Sequence, residues 1–263
     1  MVWYPCLLCA GFAIAGCGKP GFQIENGKPV MVEMNAAVGR ESTPIPGADP
    51  KTFKPLEYGK NVNAIYAIDA NQAYIGYISR AMAIPLSDPA TFKIITPNGD
   101  YAADENRVYW YGVEVPGADP ASFRILKTPC AVDSQRAYIG LKPLEVHSLD
   151  HFEVLQIDFW NMPIGNANGR LMAKDLREHW VPAWSRDGVA YYWEATELEG
   201  ADYESLKILN DVYAKDKATV YFQGKPVRGA DAETFVVGVG MNGSDKNHEY
   251  NTGRRVPTKS PKR

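Results

Sequence analysis

Tyr213-Ala214-Lys215-Asp216-Lys217-Ala218-Thr219-Val220-Tyr221-Phe222 is the stretch on which the fold turns, because variants of it recur along the chain. Its opening returns as Tyr66-Ala67-x-Asp69, Tyr101-Ala102-x-Asp104, Cys130-Ala131-x-Asp133 and Trp184-Ser185-x-Asp187. Five residues after each aspartate stands a tyrosine: Tyr74, Tyr109, Tyr138, Tyr192 and Tyr221. Nineteen residues after four of the aspartates stands a large apolar residue, Phe123, Phe152, Leu206 or Phe235; Phe92 follows Asp69 by 23, a four-residue insertion. A second motif precedes the apolar residue: GADPKTF at 47–53, DPATF at 88–92, GADPASF at 117–123, GADYESL at 200–206 and GADAETF at 229–235. The period is 29 residues from Asp104 to Asp133 and from Asp187 to Asp216. A fixed period of this length is the mark of a repeat architecture.

Each part of the unit has a physical reading. Tyr-Ala-x-Asp and Val-Tyr flank a four-residue polar link, which predicts a β-hairpin whose aspartate caps the turn through backbone amides. That turn sets a small residue opposite a ring at 67/74, 102/109, 131/138, 185/192 and 214/221, as cross-strand packing requires. Gly112 and Gly224 turn the chain again. In Ala-Asp-Pro-x-Ser/Thr-Phe, aspartate suits an N-cap and proline the first helical position, so a single helical turn is expected. The Lys-Ile-Leu that follows reads as another short strand. One unit cannot bury its aromatic face alone, so the expected fold is mainly β, tandem hairpin repeats stacked into one elongated array.

With the repeated GADPxxF, the stretch 213–222 resembles the DKNYY repeat family of bacterial envelope proteins. The resemblance covers roughly residues 44–237 and is strongest at 101–126 and 213–237. It implies a secreted or lipid-anchored repeat protein with no assigned activity, and it brings no catalytic residues with it. The chain departs from the pattern at Cys130 and Trp184, which hold the leading tyrosine position, and at Glu145-Val146-His147-Ser148, where GAD would stand.

The N-terminus fits that setting. Residues 6–16, CLLCAGFAIAG, are apolar but shorter than the roughly 20 residues a spanning helix needs. Ile14-Ala15-Gly16-Cys17 resembles a lipobox, so residues 1–16 are expected to be a signal peptide and Cys17 the lipidated residue, although MVWYP lacks the usual positive charge. Cys6 and Cys9 would leave with the leader. Of the 4 cysteines Cys130 then remains alone, and its aromatic slot suggests a buried structural thiol. Residues 17–43 would form a tether and capping hairpin, and 44–241 the repeat domain.

Composition sets the outer limits. A chain of 263 residues that is 45% hydrophobic and 22% charged is neither disordered nor collagen-like, and 23 Gly with 19 Pro favour a turn-rich β protein. The formal charge of -3 leaves no overall basic field to hold nucleic acid.

Candidate chemistry is sparse. His147 and His151 have the spacing of a helical metal pair, but the register does not put them on one face and a third ligand is not evident. Gly238-Val239-Gly240-Met241-Asn242-Gly243 matches GxGxxG without the strand–helix context of a nucleotide site, so it reads as a turn. The repeated aspartates have local turn roles, and calcium would need 6–8 oxygen ligands. No catalytic triad or metalloprotease motif occurs. Neither cofactor nor metal is expected.

From Asp133 to Asp187 is 54 residues, and the excess falls at 156–183. This irregular stretch concentrates Phe159, Trp160, Met162, Arg177, His179 and Trp180, residue types enriched in binding hot spots. It reads either as a binding insertion or as a decayed repeat, because Asp158 lies one period before Asp187. At the other end, 242–263 reads as a truncated last repeat with a basic tail, Asp245 lying one period after Asp216. The function expected is that of a non-catalytic protein anchored in the outer membrane and facing the periplasm. Its partner would be another protein, an immunity-type role against a secreted toxin included, or an envelope component. The alternatives are a glycan- or peptidoglycan-binding module and an envelope enzyme with an unrecognised site.

Overall fold

The computed structural model describes residues 20–35, 39–57, 64–77, 80–157 and 183–257. They form seven small antiparallel sheets. The first has three strands, Gly21–Glu25, Lys28–Asn35 and Gly39–Pro44. Each of the other six has four, consecutive in chain order. The second runs from Lys54–Pro55 to Arg80–Ile84, the third from Lys93–Ile94 to Val113–Glu114, and the fourth from Arg124–Lys127 to Lys142–Leu144. The fifth runs from Glu153–Ile157 to Thr196–Glu197, the sixth from Lys207–Ile208 to Lys225–Pro226, and the seventh from Val236–Val237 to Arg254–Arg255.

The middle two strands of each four-stranded sheet carry the repeated motif. Ala67 pairs with Tyr74, Ala102 with Tyr109, Ala131 with Tyr138, Ser185 with Tyr192 and Ala214 with Tyr221. A methyl or hydroxymethyl group leaves the opposite ring room to lie flat on the sheet, which a second ring would deny. In the seventh sheet the partner of Tyr250 is Gly243, where a Cβ would stand 2.4 Å from the Phe235 ring. The four-residue insertion of the second sheet lengthens its outer hairpin, Ala73–Tyr77 against Arg80–Ile84, so the alternation of faces is kept.

The expected helical turn is corrected. Among the described residues no helix forms, and Asp-Pro-x-Ser/Thr-Phe is a hydrogen-bonded turn. Ser122 N–H donates to the Asp119 carbonyl, and Phe53 N–H to the Asp49 carbonyl. A single closed turn fixes several dihedrals for one bond, and the next residues enter strand pairing at once, so no second helical bond follows.

The fifth sheet brackets residues 158–182. Its first strand, Glu153–Ile157, pairs directly with its second, Ala183–Arg186, and Ile157 lies opposite Ala183. Residues 158–182, outside the described residues, therefore fall in chain order between the first and second strands of this sheet.

The apolar residue after each turn is a wedge between neighbouring sheets. Phe92 lies 5.7 Å from Tyr66 of the second sheet and 5.8 Å from Tyr109 of the third. Phe123 repeats this with Tyr101 and Tyr138, at 5.5 and 5.6 Å, and Phe235 with Tyr213 and Tyr250, at 5.3 and 5.7 Å. One buried cluster extends from Ala64 to Tyr192 and a second from Trp184 to Tyr250, so both faces of the fifth sheet are covered. Burying each such ring contributes about 2–3 kcal/mol, which weak two- and three-residue strands need.

Candidate functional site

The repeated aspartate is the busiest polar group in each unit. Asp216 Oδ1 accepts the N–H groups of Ala218 and Thr219 at 2.7 and 2.6 Å. Its Oδ2 accepts the Asp202 N–H and the Tyr221 hydroxyl, both at 3.0 Å. One carboxylate thus closes the hairpin turn, holds the entry of the preceding GAD turn and orients the ring. Asp69, Asp104, Asp133 and Asp245 accept from the corresponding donors.

The electrostatics follow from this geometry. Burial pushes the Asp216 carboxyl up, but the amides of Asp202, Ala218 and Thr219 and the Tyr221 hydroxyl outweigh it and hold the group below the usual carboxylate range. Asp104, Asp133 and Asp187 are lowered in the same way. Burial, together with the Asp216 carboxylate, pushes Tyr221 up to about 12.

The GAD aspartate has a second, local role. Asp119 accepts the Ala121 N–H at 3.0 Å and the Ser122 hydroxyl, and Ser122 Oγ in turn accepts the Ser134 N–H at 3.1 Å. Thr91, Ser205 and Thr234 bridge their turns in the same way. Lys217 then pairs with Asp202, and Lys246 with Asp231. The two aspartates of a unit therefore have hydrogen-bonding partners within the unit itself.

Between units the tie is the leading aromatic residue. Tyr66 donates its hydroxyl to the Gly99 carbonyl at 2.8 Å, Tyr101 to that of Pro129 at 2.7 Å, and Tyr213 to that of Met241 at 3.1 Å. Trp184 does the same through Nε1, to the Asn210 carbonyl at 2.9 Å. Each acceptor lies between the first and second strands of the following sheet. Cys130 occupies the same slot of the fourth sheet, is 0% exposed, and has its thiol pushed up to about 12 by burial. The corresponding stretch of the fifth sheet, between its first and second strands, lies outside the described residues. The fourth and fifth sheets are joined instead by Lys142, whose Nζ lies 2.7 Å from Glu194 Oε2, with only 9% of the glutamate side chain exposed.

Other sequence candidates are placed apart. His147 Nε2 lies 3.2 Å from Glu197, while His151 Nδ1 lies 2.8 Å from Ser148 Oγ, so the two imidazoles serve different partners. Among the described residues no group of three or more His, Cys, Asp or Glu is arranged to hold a metal ion. The GxGxxG stretch is the turn between the first two strands of the seventh sheet, where the Gly238 N–H donates to the Asn242 carbonyl. Cys17, Phe159, Trp160, Met162, Arg177, His179 and Trp180 lie outside the described residues.

Sequence reasoning missed one feature. A groove of about 500 Å³ opens along the outer turns of the fifth, sixth and seventh sheets, with Trp193 and Phe222 on its walls and Lys225, Thr252 and Arg254 around it. The signal was present in the repeat itself, since Lys142, Lys225 and Arg254 all follow the outer turn at the same offset.

The family model of the DKNYY family matches residues 77–254. No curated protein matches the chain, and no solved structure does. The match takes in the third to sixth sheets and nearly all of the seventh, where the aspartate, tyrosine and wedge residues recur, and it spans well over half of the 263 residues. The chain belongs to the DKNYY family.

Proposed function

We propose that this is a non-catalytic protein of the bacterial envelope, lipid-anchored at Cys17 in the outer membrane and facing the periplasm, that binds a protein partner. Its repeat units follow one another as an elongated stack and form the scaffold. The observation that carries this reading is the internal use of the repeat's chemistry: the carboxylates and phenols that recur are hydrogen-bonded within and between units. Such groups build a frame and leave recognition to whatever varies along it. The wedge rings shared by neighbouring sheets support the stack. The insertion carrying Phe159, Trp160 and Trp180 leaves after Ile157 and returns at Ala183, which are paired neighbours, so it adds sequence to the scaffold without interrupting its pairing.

The test is envelope fractionation with cross-linking capture of wild type, Cys17→Ala and a variant lacking residues 161–178. Wild type should pellet with membranes and capture a protein partner; Cys17→Ala should be released or remain unprocessed. The deletion variant should stay folded and lose capture. Unchanged membrane association and mature mass for Cys17→Ala would overturn the anchor. Full capture by the folded deletion variant would overturn the role of the insertion.

A further inference from the structure

The repeat supplies an internal template for reading the groove. At the junction of the fourth and fifth sheets, Lys142 follows the outer turn of one sheet and Glu194 opens the outer turn of the next. They meet at 2.7 Å with the glutamate largely buried. At the junction of the sixth and seventh sheets, Lys225 holds the position of Lys142, and Thr252 holds that of Glu194. The backbone there is the same, with φ of 50° at both Glu194 and Thr252. The cation has been kept and the carboxylate replaced by a short hydroxyl, whose Oγ1 donates instead to the adjacent Asn251 carbonyl.

The space left is the groove of about 500 Å³. Arg254 adds a second cation at its rim, and among the described residues neither Lys225 nor Arg254 joins an ion pair. Gly253 lets the outer turn of the seventh sheet pack directly on Phe222, because a Cβ there would stand 2.7 Å from that side chain. Two cations over an aromatic wall suit a carboxylate that arrives on an apolar stem.

We propose that this notch binds an acidic side chain of a polypeptide, whose carboxylate takes the place beside Lys225 that Glu194 takes beside Lys142. The proposal rests on the binding role above only for the carrier's being a polypeptide. It is tested on the purified full chain, independently of capture in the envelope.

The probe is a fluorescein-labelled tetraglutamate peptide followed by anisotropy at low salt, with tetralysine as control. Wild type should bind tetraglutamate and not tetralysine. Lys225→Ala and Arg254→Ala should each weaken binding by about tenfold, the scale of one charge-assisted contact. Thr252→Glu should fill the notch from within, abolishing binding and raising the melting temperature. Equal binding by wild type and a folded Lys225→Ala, or no binding by wild type, would overturn the proposal. Displacement by inorganic phosphate at concentrations where acetate is inert would assign the notch to phosphate and overturn it as well.

Discussion

The junction of the fourth and fifth sheets and that of the sixth and seventh solve one problem differently. In the second, Tyr213 reaches across to the Met241 carbonyl and also accepts the Gly253 N–H at 3.1 Å. In the first, Cys130 offers no such donor, and Lys142, on the same rung of the sheet as Cys130, forms the polar tie with Glu194. The apolar wedge is common to both, through Phe152 and Phe235. Burial of rings therefore supplies most of the adhesion between units, while the polar tie fixes which turn meets which. Where an aromatic hydroxyl makes the tie, it meets the inner link and the outer turn of the next sheet together; where Cys130 stands, the ion pair meets the outer turn.

The aspartate hub belongs to both sides of the comparison, so removing it should cost the most and cost the same. Asp133→Ala and Asp216→Ala each strand three amide donors and a phenol, a loss of about 3–4 kcal/mol in urea unfolding. Unequal losses would show that the two regions are not built alike. The same carboxylates make acid the weak direction. Their folded values lie below the ordinary 3.8, so the stability they contribute is complete above that pH and is lost as pH falls through and below it. Thermal melts should fall steeply below about pH 4.

Glu194→Gln separates the junctions next. It leaves the Lys142 ammonium without its counter-charge in a half-buried place, and about 2 kcal/mol should be lost, discounted for the lysine's partial exposure. Tyr213→Phe should cost about 1 kcal/mol, because the Gly253 N–H loses its phenol acceptor while the Met241 carbonyl keeps the Thr252 N–H. Urea unfolding of both variants and of the double variant should give additive losses, since the ties lie at different junctions. The smallest effect is expected from deleting 161–178, because Ile157 and Ala183 remain paired and a shorter loop changes closure by only about 0.6 kcal/mol per halving. A melting temperature several degrees lower would mean that the insertion packs on the scaffold.

Much of this molecule was legible in its sequence, for a physical reason. A hairpin turn, its capping aspartate and the small residue opposite a ring are local events, set by residues within about ten positions, and their recurrence made the register readable at 67/74, 102/109, 131/138, 185/192 and 214/221. The single-turn helix was read wrongly from equally local rules, because strand pairing on its far side competes with the second helical bond. What only the tertiary structure decided are the relations between units. The hand-over of each leading aromatic hydroxyl to the next sheet, the replacement of that tie by Lys142 and Glu194 where Cys130 stands, and the notch between Lys225 and Thr252 all involve residues 27 to 52 positions apart. Such pairs follow from how one sheet lies against the next, and no local rule of propensity or spacing contains that geometry.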